Sequence, residues 1–470
     1  MPFSLPDIDP AKINTLDEAK EALNILMNSF ERLAHLFVRQ EEKIRRVEEE
    51  NRRLKGLPKK PHYPSQKKVN STFSLQKLLK QKGVWHKSRK NNTLPIDKEE
   101  YLPEAEECVC GNTDFRVLRT KQKVVQGMII LRHNVLYRGR DKRCMRCGKE
   151  YKTKLPKENF TTTLKSLVSF FKFGCRMTYP LMNRMFKGFG VQMSNGKINE
   201  VLHKNSTNLI PSYQHLKTVG FSKSSYLQSD ATGAKRKNQI TGTIRNQYVQ
   251  IIGNKLLSVF AITKYYNATT LNRLLGKAGR RKPFVSDDGS PNGECLKCKH
   301  KQLCFVHEIR HYKKLFPFCT IYHPLEEQIL SQWSMFYHTA KQYGKAPPEE
   351  QDHLRKLIED TFEKITNQTT HYDDLNKQLR LTRKKRDRLL TFLNFPFLPI
   401  HNNQCEQDLR EYVIQRKISG ETKSYAGDKS IARHLSVIQT AQKQGLDVFS
   451  TLHGLLTGAL SPQILTASIS

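Results

Sequence analysis

The chain of 470 residues is too long for one ordinary core, so several domains are expected. Its 80 Lys+Arg stand against 44 Asp+Glu, a formal net charge of +36, which directs it to polyanions through phosphate neutralisation and counterion release. No run of about 18 apolar residues occurs and the N-terminus lacks a charged start before an apolar signal core, so neither membrane binding nor secretion is expected.

Leu16, Leu23, Phe30, Phe37, Ile44 and Asn51 share one heptad position, and Ala19, Leu26, Leu33, Gln40, Val47 and Leu54 share another. Alternating steps of three and four place both sets on one seam, the pattern of a leucine-zipper coiled coil over residues 1–56 that pairs two copies. Asn51 suits the buried polar position that fixes a two-stranded parallel register, and Glu, Lys and Arg crowd the other positions. A single amphipathic helix packed on its own protein is the alternative. Residues 57–103 are rich in Lys, Pro, Asn and Ser, and Pro58, Pro61 and Pro64 argue against helix, so a basic linker is expected.

The ten cysteines are partly clustered in short pairs, which without a secretion signal reads as metal binding. Cys108-Val109-Cys110-Gly111 and Cys144-Met145-Arg146-Cys147-Gly148 flank strand-like residues such as Val124-Val125 and Met128-Ile129-Ile130-Leu131. This describes a zinc ribbon over residues 104–155, in which Cys108, Cys110, Cys144 and Cys147 hold a structural Zn2+ and glycines permit tight knuckles. The first pair is one residue shorter than the usual spacing, and a ribbon that keeps its fold without metal is the alternative. Residues 156–220 read as a helical DNA-binding segment. Leu164, Leu167, Val168 and Phe171 mark one helix, and Leu181, Met182, Met185 and Phe186 another. After the turn Gly188-Phe189-Gly190-Val191, Ser194 caps a third helix through Lys197, Ile198 and Val201-Leu202. A helix-turn-helix with Lys197 on DNA fits this order, and plain helical packing fits almost as well.

From Tyr226 the pattern turns to strands: one ending at Asp230, a second at Tyr248–Ile252, a third at Leu256–Ile262, a helix at about Ala268–Leu275, and a short strand ending at Asp287. This β-β-β-α-β order is that of a ribonuclease H-like α/β domain over residues 221–460, where the first and fourth strands lie side by side and bring their acidic ends together. A zinc-knuckle and helical insertion is expected at about 293–395. Within it, Cys295, Cys298, Cys304 and His307 make a closed tetrahedral set for a second structural Zn2+; alternatively only Cys304 and His307 matter, as packing under the active site. Cys175, Cys319 and Cys405 read as ordinary buried thiols. Glu406 then heads a basic helical segment. Two magnesium ions about 3.5–4 Å apart, bridged by carboxylates, stabilise both oxygens of a phosphodiester transfer, and Asp230, Asp287 (or Asp288) and Glu406 are placed to hold them. The fold expected is therefore multidomain α+β.

The chain resembles, over nearly its whole length, the DDE transposases of bacterial insertion sequences, in the group named for insertion sequence sixty-six. Ser229-Asp230-Ala231-Thr232-Gly233 resembles the first-Asp motif. Val285-Ser286-Asp287-Asp288-Gly289-Ser290-Pro291-Asn292 resembles the second, and Asn292 favours Asp287 over Asp288. Cys304-Phe305-Val306-His307 with Arg310 is similar to a Cys-x-x-His-x-x-Arg segment, and Asn402-Asn403-Gln404-Cys405-Glu406 with Arg410, Arg416 and Lys417 to the last motif. The resemblance implies Asp230, Asp287 and Glu406 as Mg2+ ligands. His401 and Gln407 depart from the pattern, where an acidic residue and Arg are common, without removing a ligand. The 119 positions from Asp287 to Glu406 imply an inserted helical subdomain, as in the family.

The expected function is cleavage of element ends followed by attack of the freed 3′-hydroxyl on target DNA. A bacterial cytoplasmic, nucleoid-associated dimer or larger assembly would carry it out. Arg410, Arg416 and Lys417 either contact phosphates and stabilise developing charge or simply grip DNA. The rivals are a catalytically inactive or repurposed DNA-binding protein derived from a transposase, and a nuclease that cuts without joining.

Overall fold

The computed structural model describes residues 13–54 and 132–469, except 148, 239–240 and 290–296, together with Pro6, Ile8, Asp9, Glu99, Val109 and Thr113. Apart from Glu99, the expected linker at 57–103 lies outside the described residues, as do Cys108, Cys110, Cys295 and Asn292. The chain divides into two compact units, one of residues 1–41 with 134–470 and one of residues 42–133. Among the described residues, no helix is long and apolar enough to cross a membrane.

Helix α1 (Leu16–Leu54) is unbroken. It starts with a reciprocal cap, in which Thr15 N–H donates to Glu18 Oε2 at 3.0 Å and Glu18 N–H donates to Thr15 Oγ1 at 3.2 Å. Its heptad seam faces outward, with Leu23 56% and Phe37 63% exposed. The opposite face docks onto a helical lobe further along the chain. Asn28 Nδ2 donates to the His371 carbonyl at 3.0 Å, its Oδ1 accepts Asp373 N–H at 2.9 Å, and the Cys319 N–H donates to Glu31, which is only 1% exposed.

Strands β1 (Lys142–Arg143) and β2 (Glu150–Tyr151) form a small antiparallel hairpin around Cys144 and Cys147, closed by Cys144 N–H donating to the Lys149 carbonyl at 2.9 Å. Helices α2 (Thr162–Ser169), α3 (Tyr179–Gly188) and α4 (Asn195–Asn208) follow, capped by Thr161, Thr178 and Ser194. Their apolar faces are part of the main core: Val168, Met182, Ile198 and Leu202 share one cluster with Leu227, Val249 and Ile251 of the sheet.

After a short helix (Ile210–His215), the five-stranded sheet runs in the order β5-β4-β3-β6-β7. Strands β3 (Leu227–Lys237), β4 (Ile244–Gly253) and β5 (Ser258–Thr263) are antiparallel neighbours, while β6 (Phe284–Ser286) and β7 (Lys301–Leu303) run parallel to β3. Asp230 does not end its strand. Pairing with β4 continues from Gln228↔Gly253 to Lys237↔Ile244, so the carboxylate stands in mid-strand. Between β5 and β6 lies a helix (Ala268–Arg280), five residues longer than the apolar pattern marks, with a break at Gly276 where φ is +61°. That left-handed backbone suits glycine.

β7 leads into a helix (Phe305–Tyr312) and then the lobe: His323–Tyr343, Pro348–Thr366 and Asp373–Lys384. Trp333, Phe336 and Phe362 fill the lobe core, and Val285, Leu303 and Ile400 join that cluster to the ends of β6, β7 and the segment before the next helix. The helix Asn403–Ser419 packs across β3 and β4, and Tyr425–Lys443 lies along β5. A buried ion pair ties these two helices, Lys443 Nζ donating to Asp408, whose Oδ2 also accepts Ser258 Oγ at 2.8 Å. The helix Val448–Thr457 closes the far side against α2.

Candidate active site

The parallel register pairs Leu227 with Phe284 and Gln228 with Val285. β6 ends at Ser286, so Asp287 is the first residue beyond it, while Asp230 stands within the neighbouring strand β3. Glu406 arrives from the first turn of Asn403–Ser419. The segment before it is stitched to β3, since Gln228 Nε2 donates to the His401 carbonyl at 3.0 Å and the buried Asn402 Nδ2 to the Ser229 carbonyl at 3.4 Å. Further along this helix, Arg176 forks onto Glu411 at 2.6–3.0 Å from a left-handed backbone, φ +59°. A bidentate charge-assisted contact offsets that local strain and holds the helix to the core.

Electrostatics ties the three acids together. Burial pushes the Asp230 carboxyl up to about 6; the Ala231 N–H pulls it back, and the charges of Asp287 and Glu406 raise it further. Glu406 Oε1 is buried without a hydrogen-bond partner, with His307 Nε2 and Arg310 Nη1 each 3.7 Å away. Asp287 Oδ1 accepts Gly289 N–H at 3.3 Å, and a Cβ on Gly289 would stand 3.2 Å from that oxygen. Mutually repelling carboxylates and an orphaned buried carboxylate oxygen fit a divalent cation.

The carboxylates are not a preformed tight set. Among the described residues, one group of three ligand-type residues has its atoms within 4.8 Å of one another, namely Asp288, Glu308 and His311. Lys385 Nζ stands between two of them, 2.6 Å from Asp288 Oδ2 and 2.9 Å from Glu308 Oε2.

Cys298, Cys304 and His307 do not form such a group. Burial pushes both thiols up to about 11, and the His307 ring is turned to Glu406. Cys295, the fourth member of the expected set, lies outside the described residues. At the hairpin, the N–H groups of Cys147 and Arg146 aim at the Cys144 sulfur and hold its pKa below the usual thiol value.

The basic residues sort by position. Arg410, one turn beyond Glu406, and Lys417 are exposed. Arg416 donates to the Gly233 carbonyl and lies 6.0 Å from the Tyr412 ring, bracing the continuation of β3. Lys197 pairs with Glu200 at 2.7 Å in the first turn of α4. His401 is largely buried, which lowers its pKa. The sequence assigns His307 to zinc or to packing under the active site, names Arg310 only within the Cys-x-x-His-x-x-Arg resemblance, and gives no role to Lys385. The one-turn spacing of His307 and Arg310 in a single helix was the available signal for the first two.

The model of the Transposase IS66 family matches residues 157–430, more than half the chain and all of the elements that carry the three carboxylates. The chain belongs to the IS66 family of transposases. It is also 29% identical over 204 residues to the uncharacterized protein y4jO of Sinorhizobium fredii. That match covers 43% of this chain and 60% of the relative, so the chain spans under two thirds of that protein's length.

Proposed function

We propose that this IS66-family chain is the DNA transposase of an insertion sequence. On this reading the sheet is of the ribonuclease H-like kind, three antiparallel strands followed by two parallel to the first, and Asp230, Asp287 and Glu406 are the divalent-metal ligands. The observation that carries the reading is the parallel pairing of β3 with β6, the strand that leads to Asp287, together with the charges of Asp287 and Glu406 both acting on Asp230. When bound, two Mg2+ ions would activate the attacking oxygen and stabilise the leaving oxygen of an in-line phosphoryl transfer.

The chain's own groups do the rest. Arg310 and His307 flank Glu406; Arg310 offsets its charge and presents donors where a phosphate would approach. An open groove lined by Thr232, Gly233, Lys235, Tyr248 and Arg416 runs along β3 beyond Asp230 and suits a DNA backbone. Asp230→Ala, Asp287→Ala and Glu406→Ala each abolish Mg2+-dependent cleavage of end-bearing DNA while leaving salt-sensitive binding. Cleavage that survives Asp287→Ala but not Asp288→Ala would reassign the second ligand.

On the same reading the hairpin at Cys144 and Cys147 is half of a structural zinc site completed by Cys108 and Cys110. Elemental analysis is expected to give two zinc ions per chain, one lost in Cys144→Ser and the other, at Cys295, Cys298, Cys304 and His307, lost in Cys298→Ser; zinc-free purified protein would remove both sites. The outward heptad seam of α1 pairs two copies, so that one assembly grips two element ends.

A further inference from the structure

We infer that Lys385 is a positioning residue for the catalytic carboxylates, clamping Asp288 to the helical lobe and so fixing the direction of Asp287. The inference rests on the proposed role of Asp287 as a metal ligand. Lys385 is 97 positions from Asp288 and directly follows the lobe helix Asp373–Lys384. Its Nζ lies 2.6 Å from Asp288 Oδ2 and 2.9 Å from Glu308 Oε2. Glu308 is 3% exposed and is held in turn, its Oε1 accepting Thr382 Oγ1 at 2.5 Å and Gln378 Nε2 at 3.2 Å. His311 Nε2 closes the other side of Asp288 at 3.4 Å. The ammonium thus stands between two of the three members of the one tight ligand-type cluster among the described residues, serving as its built-in cation. Burial works against the Lys385 charge, yet the two carboxylates hold its pKa above the ordinary lysine value.

Asp287 and Asp288 directly follow β6, and their contacts differ: Asp287 Oδ1 accepts Gly289 N–H at 3.3 Å, whereas Asp288 is engaged by Lys385 at 2.6 Å and His311 at 3.4 Å. A clamp on Asp288 therefore sets the backbone from which Asp287 projects, and it removes Asp288 from the metal set. Removing one partner of a buried, hydrogen-bonded ion pair leaves the other uncompensated, so the clamp is sensitive to neutral substitution.

The test is Mn2+ binding by the full-length protein, followed by electron paramagnetic resonance, with melting temperature and Mg2+-dependent cleavage measured alongside. Lys385→Met is expected to weaken Mn2+ binding at least tenfold and raise the Mg2+ needed for half-maximal cleavage, whereas Lys385→Arg stays within about threefold of wild type. A Lys385→Met protein that melts earlier but binds Mn2+ with wild-type affinity would reduce Lys385 to a lobe-stabilising residue and overturn the inference. Should that variant not fold, Lys385→Gln with Glu308→Gln keeps a neutral hydrogen-bonded pair at the site; the same tenfold loss is expected, and wild-type affinity overturns the inference equally. Wild-type Mn2+ binding by Asp287→Ala would overturn the ligand reading beneath it instead.

Discussion

Asp230 combines a buried setting with two like-charged neighbours, and its raised pKa has consequences that differ for stability and for activity. Its folded pKa of about 6 exceeds the ordinary 3.8, so the native state holds this proton more tightly than the unfolded chain. The associated stability is present below the unfolded value and is lost as pH rises through about 6. In metal-free buffer, Asp230→Asn should raise the melting temperature by a few degrees at pH 8 and leave it unchanged near pH 3.5. A difference that persists at low pH would point to packing in place of charge. Activity runs the other way, because a ligand must be ionised. Cleavage should fall below about pH 6, and the acid limb should move to lower pH as Mg2+ is raised.

At the scale of elements, α1 has one docked face and one exposed face. Its back face carries Asn28 and Glu31 into buried polar contact with the lobe, with Arg32 paired to Asp373, while Leu23, Phe30 and Phe37 point outward. Asn28→Ala leaves the Asp373 N–H and the His371 carbonyl short of a partner, a cost of about 1–3 kcal/mol. Faster hydrogen exchange in residues 16–41 with an unchanged oligomeric state is expected. Leu23→Glu with Leu33→Glu should do the reverse, lowering the oligomeric state by light scattering while α1 stays protected. Unchanged stoichiometry in that second variant would contradict pairing through the seam.

The heptads, the cap at Ser194 and the order of the long strands were legible because each is a local, periodic signal. Three features were not. β7 is three residues long in a Lys-rich stretch, too short to show a period. The run from Ala231 to Lys237 is polar, but it is held in the sheet by pairing with β4, which single-strand pattern does not reveal. The bonds from Lys385 to Asp288 and Glu308 span 97 and 77 positions and leave no spacing signature.

Across the whole molecule, a single sheet gathers carboxylates that lie 176 positions apart in sequence, from Asp230 to Glu406. β3 carries Asp230, Asp287 directly follows its parallel neighbour β6, and the Asn402 and Gln228 contacts stitch the segment before Glu406 to β3. The chain carries a net charge of +36; on the proposed reading that charge draws in DNA while metal ions offset the carboxylates locally. The most direct test of transposase function is joining: a duplex with a pre-cut 3′-hydroxyl element end, incubated with Mg2+ and a supercoiled target. The account predicts covalent joining of the end to the target by the wild-type protein, lost in Asp230→Ala, Asp287→Ala and Glu406→Ala. Cleavage of element ends without any joined product, or joining that survives loss of Asp230 and Glu406, would contradict it.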